Sequence, residues 1–194
     1  MRIPGASTSF PETATHYQAK SKLPFALVVA ACSDHRKEHY GRQIAGTDWT
    51  SVSTDAMGGA DAAQLIRERL VKELSSSGLF SEVTTRDPGP NDAILKTEIQ
   101  AFSCQARGFL IVRIVGMTAL RVVVERDGKT LMERTFEKVV TDADKEYTGS
   151  QVTFIEQAMK VTMTDSLRET LKDLLNAIES SGGTWAQTVR EKSS

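Results

Sequence analysis

The tetrapeptide Arg126-Asp-Gly-Lys129 stands between two runs rich in β-branched residues, 109–126 and 130–141, and restricts the fold more than any other stretch. Asp127 and Gly128 can take the positive dihedrals of a tight two-residue turn, so the two runs are expected to pair antiparallel. A third run, 93–104, alternates through Leu95, Thr97, Ile99 and Ala101, the period of a half-buried strand. Gly116 interrupts the middle run and marks a bulge, a bend or a close backbone approach.

Two helical patterns flank these strands. Asp61 can accept from the free amides of a first turn, with Gln64 at the reciprocal capping-box position, and Leu65, Ile66, Leu70 and Leu74 make one apolar face. This helix should end near Ser77, where Gly78 supplies a left-handed residue and Leu79-Phe80 folds back. A short strand around residues 80–83 follows, closed by Asp87-Pro-Gly-Pro90. After a polar connection, 142–149, a long helix opens at Ser150 or Gln151. Ile155, Ala158, Met159, Met163, Leu167, Leu171, Leu174 and Ile178 form its stripe, and Gly182-Gly183 is expected to end it.

Residues 22–36 fit two physical readings. Phe25 to Ala31 is a short apolar run closed by Ser-Asp-His-Arg, as in a buried strand. The same run, behind Lys20 and Lys22 and ending Val29-Ala30-Ala31-Cys32, has the form at which bacterial lipoproteins are cut and lipidated on cysteine. Glu12 and the length of the preceding segment make a poor signal leader, and the helix at Asp61 needs a neighbouring strand. The strand reading is therefore preferred, with Cys32 as a core thiol rather than a lipidation site. Cys32 and Cys104 are read as two buried thiols, with a single disulfide between them as the alternative.

At 194 residues the chain fits one domain with tails: an extended lead-in over 1–21, an α/β domain over 22–181 and a loose tail over 182–194. Pro4, Gly5 and Pro11 and the absence of periodicity keep the lead-in out of the expected core. A formal net charge of -1 argues against nucleic acid as a partner. The longest apolar run, 23–32, is half the roughly 20 residues a spanning helix needs.

Candidate chemistry is sparse. Residues 33–59 read as a long polar loop with Ile44, Trp49 and Val52 as apolar anchors; Trp49, Ile44 and Tyr40 are the candidate partner-binding residues. Asp34, His35 and His39 have a spacing that puts two imidazoles on one helix face, the basis of a metal-dependent hydrolase alternative. No third ligand or following glutamate accompanies them. Neither a Gly-x-Ser-x-Gly turn nor a Lys-Ser/Thr phosphate loop is present, and no cofactor is expected.

The order of elements resembles small periplasmic lipoproteins of Gram-negative bacteria. Leu27-Val28-Val29 leads to Asp34-His35-Arg36 and Gly41; Leu70 runs through Ser77-Gly78-Leu79-Phe80 to Val83; and Asp92-Ala93-Ile94-Leu95 follows. On these residues the chain resembles the YajG-like lipoprotein family. It has a wider similarity to auxiliary lipoproteins of envelope transport and to the amino-terminal domain fold of TolB. The resemblance implies an α+β two-layer sandwich: a mixed, largely antiparallel sheet of about five strands with two helices on one face. It implies no catalytic residues. It implies a periplasmic or outer-membrane protein that binds or scaffolds an envelope protein partner through its sheet edge or the 33–59 loop, with a lipid-handling transporter subunit as the alternative. The departure is at the front, where the only early cysteine lies at the end of the first strand.

Overall fold

The computed structural model describes residues 10–36, 49–53, 61–107, 112–147 and 152–190. The strands are β1 (Leu27–Val29), β2 (Ser33–Asp34), β3 (Trp49–Ser53), β4 (Val83–Thr84), β5 (Ala93–Arg107), β6 (Val112–Arg126) and β7 (Lys129–Tyr147). The helices are α1 (Ala62–Ser77) and α2 (Val152–Arg190). The result is the expected mixed α+β architecture, with seven strands in one sheet among the described residues where about five were expected.

The hairpin forms where the turn chemistry puts it. Asp127 and Gly128 have φ of 51° and 70°, and β6 and β7 pair from Arg126↔Lys129 to Val112↔Tyr147. That takes β7 through most of the stretch expected to be a polar connection: once a partner strand continues, charged residues in the sequence do not by themselves end a ladder. The two extra strands lie within the expected 33–59 loop. β1, β2 and β3 fill one edge of β5 in succession, the first two parallel and the third antiparallel. β1 also pairs parallel with β4, so β1, α1 and β4 make a crossover unit beside the antiparallel β5-β6-β7 meander.

One face of this sheet carries both helices. Leu95, Thr97 and Ile99 face them as the alternation requires, but a register shift between Ile99 and Ala101 steps the frame by one. Phe102 and Cys104 therefore join the core, and Ala101 turns to the outer face opposite Ala119. Gly116 marks a close approach: a Cβ there would lie 2.5 Å from the Thr162 carbonyl oxygen of α2. Two positions on, the Thr118 and Ser166 hydroxyls join strand to helix at 2.7 Å, both fully buried.

α1 is capped as its sequence requires, Asp61 Oδ1 accepting from the amides of Ala63 (2.9 Å) and Gln64 (3.4 Å). Gly78 takes φ 73° at the other end. The Gln64 side chain bonds forward to Glu68 instead of back to the cap. α2 does not stop at Gly182-Gly183 but runs 39 residues to Arg190. Gly182 is buried against Leu23, whose Cδ2 would lie 2.8 Å from an added Cβ, and Trp185 beyond it is buried too. The glycine answers to a packing contact there; a terminator works only when the residues after it gain nothing by staying helical.

The lead-in also differs from expectation. Residues 10–21 form an extended strap over the groove between α1 and α2, with Phe10 buried on Phe102 (ring centroids 6.2 Å apart) and Thr13 buried behind it. The Arg69 guanidinium donates to the carbonyls of Phe10 and Pro11, and the amides of Ala19 and Leu23 donate to those of Ser77 and Leu79. A segment without periodicity becomes ordered here because its backbone polar groups find fixed partners on two helices.

Candidate functional site

Of the residues that suggested metal chemistry, Asp34 is committed elsewhere. Asp34 forms a two-point ion pair with Arg36, Nε to Oδ1 at 2.9 Å and Nη2 to Oδ2 at 2.6 Å. These bonds hold its carboxyl below the usual range. The His35 amide continues the β2 ladder onto the Ile99 carbonyl, and its side chain is exposed. His39, Tyr40 and Ile44 lie outside the described residues. Among the described residues no group of three or more His, Cys, Asp or Glu side chains is placed to hold a metal ion. The backbone of Trp49 opens β3 opposite Arg107.

Both thiols are free, which removes the disulfide alternative. Cys32 is half-buried against the core and Cys104 fully buried. Burial pushes Cys32 up to about 11 and Cys104 up to about 12, so neither is a thiolate at neutral pH. A chain cut ahead of Cys32 would lack β1, whose three residues are all buried and which joins β4 to the rest of the sheet.

The sheet face turned away from the helices is the surface best suited to recognition. Its lower half is a ladder of opposite charges. Arg121 bonds Glu98 at 2.8 and 2.9 Å and Glu133 at 2.5 Å, and Lys96 bonds Glu125 at 2.7 Å. Each of its charges has a partner of opposite sign, two cations against three carboxylates. Further along, Ala101, Ala119 and Ser103 are themselves buried, and half-buried Met117 leads across the ladder to Val139. Val139 is 56% exposed, the one large hydrophobic so exposed among the described residues. It stands on β7, which among the described strands pairs on one side only. This apolar-on-edge arrangement was not foreseen. β7 reads in sequence as mixed polar and apolar, and which of its adjacent valines faces away from the helices depends on which side of the sheet α2 covers.

Two further features complete the surface. A groove of about 480 Å³ runs along the outside of α1, lined by Gln64, Arg67, Glu68, Val71, Lys72 and Thr85. Arg67 spends its guanidinium on the carbonyls of Val29 and Thr85, so it ties α1 to β1 rather than facing a ligand. At the lower end of the sheet the Arg126 guanidinium sits 4.4 Å above the Phe25 ring, itself packed on Phe80. No helix among the described residues is long and apolar enough to cross a membrane.

No family model and no curated protein matches the chain. Solved structures do. A Xanthomonas campestris protein described under the family model DUF330 superimposes with a TM-score of 0.57 at 14% identity, over 88% of this chain and 94% of that one. The rare lipoprotein B of Shewanella oneidensis matches at 12% identity, over 78% of this chain and 98% of that one, with a TM-score of 0.38. The first likeness establishes a shared fold, and the second is too loose to bear an argument.

Proposed function

We propose that the chain is a non-enzymatic protein of the bacterial envelope that docks a protein partner on the outer face of its sheet at the β7 edge. The observation that carries this reading is Val139, exposed beside Met117 on a strand that pairs on one side only among the described residues, next to a ladder of paired charges. An apolar side chain at an unpaired edge gives a partner both a contact and a row of backbone groups to bond. The shared fold with the DUF330 protein supports it.

A photo-crosslinking residue at position 139, in protein produced in a bacterial envelope, tests this. A discrete adduct at 139, absent with the same residue at exposed position 172 on α2, is the expected result. Equal or no adducts at both positions would overturn the docking surface, and lipid in the adduct would move the reading to lipid handling.

A further inference from the structure

The strap over the helix groove is held by two carboxylates, one from each helix, and they are not equivalent. Glu73 of α1 is buried and accepts the Thr15 amide at 2.9 Å and the Thr15 hydroxyl at 2.5 Å, both on Oε2. Glu179 of α2 uses both oxygens: Oε2 accepts the Tyr17 hydroxyl, and Oε1 accepts the amides of Lys20 (2.5 Å) and Ser21 (3.2 Å). Between the two hooks His16 takes φ 54°, so the strap bends where it passes from one carboxylate to the other.

A proton added to Glu73 can reside on its unused oxygen and leave both bonds from Thr15 in place. Added to Glu179, it must land on an oxygen that already accepts, turning an acceptor into a donor that faces N–H or O–H groups. We propose that Glu179 is a proton-operated latch: its protonation undocks residues 17–21 from α2 while Glu73 keeps the front half of the strap in place. The ionisable groups set against Glu179 are Tyr17 and Lys20 of the strap, and neighbouring His16 is exposed. The Tyr17 hydroxyl, pushed up to about 12 by burial and by this bond, stays a donor throughout the relevant range. Glu179 is held below its ordinary 4.5 by Tyr17 first and by the Lys20 amide next, so the latch is closed at neutral pH and opens as pH falls through that depressed value. Opening releases Tyr17, Lys20 and Ser21 from α2, while the Ala19 amide stays on the Ser77 carbonyl and the Leu23 amide on that of Leu79.

Hydrogen exchange on the full chain, read by mass spectrometry with labelling times scaled for the intrinsic pH dependence of amide exchange, tests this. The amides of Lys20 and Ser21 are expected to exchange at least tenfold faster at pH 2.5 than at pH 7, and equally fast at pH 7 in Glu179→Gln. Those of β5 and β6 should be unchanged. Glu73→Gln should retain protection of the Thr15 amide, because glutamine still offers one acceptor, and His16→Gln should retain the acid response. If acid speeds the sheet by the same factor as the strap, or leaves Lys20 and Ser21 protected, the latch is refuted. Should Glu179→Gln fail to fold, the wild-type acid series decides alone.

Discussion

The Gly116 Cα packs against the Thr162 carbonyl so closely that strand β6 and helix α2 meet backbone to backbone, with Thr118 bonded to Ser166 one pleat further along. Because the atom in the way is main chain, no rotamer change relieves a larger residue. Gly116→Ala is expected to lower stability by about 1–3 kcal/mol, within the range of core overpacking, read from the midpoint of denaturant unfolding. An unchanged midpoint would show that α2 can slide off β6.

At Gly182 the obstacle is the end of a leucine side chain, and the expected sign depends on it. Alanine there gains helix propensity of about 1 kcal/mol, opposed by the contact with Leu23. In wild type Gly182→Ala should be neutral or destabilising; in a Leu23→Ala background it should stabilise by roughly the propensity difference. A double-mutant cycle with no coupling would detach the glycine from Leu23.

The thiols offer a kinetic test. Cys32 is raised from 9.0 to about 11, so at pH 8 its thiolate fraction should be on the order of 100-fold below that of an unperturbed cysteine. Iodoacetamide should modify the native protein slower by at least that factor, with Cys104 slower still. Labelling at the rate of a free thiol would mean that Cys32 leaves its packed site.

Asp34 supplies a pH dependence of definite sign. Its carboxyl is held below its ordinary 3.8 by the Arg36 bonds, so its stabilising contribution is complete above that value and is lost as pH falls through the depressed one. The gap in Tm between wild type and Asp34→Asn should be constant from pH 7 to 5 and should close in acid. A gap that persists at pH 2 would assign the effect to packing.

Phe10 measures how firmly the strap is seated. Phe10→Ala removes a ring buried on Phe102 and should lower stability by about 3–5 kcal/mol, or by less if the strap detaches before the sheet unfolds. Comparing its denaturant midpoint with strap exchange rates separates the two cases.

The sequence by itself determined what depends on near neighbours along the chain. Asp127-Gly128 can make a tight turn wherever it stands, Asp61 and Gly78 can cap a helix without outside help, and β-branched runs and a three-and-four-residue stripe name their own elements. It also left Gly116 among three readings that included the correct one. Tertiary structure decided what depends on residues brought from afar. The shift after Ile99 selected Phe102 over Ala101 for the core, Leu23 made Gly182 part of a continuing helix, and β5 offered an edge on which part of the 33–59 stretch became β3. Residues 10–21 carry no pattern of their own; their order comes from Arg69, Glu73 and Glu179 on two helices more than fifty positions away. The exposure of Val139 has the same origin, since a valine in a strand is buried or bare according to which face the helices cover, and Gly116 against Thr162 puts α2 on the face that Val139 does not share.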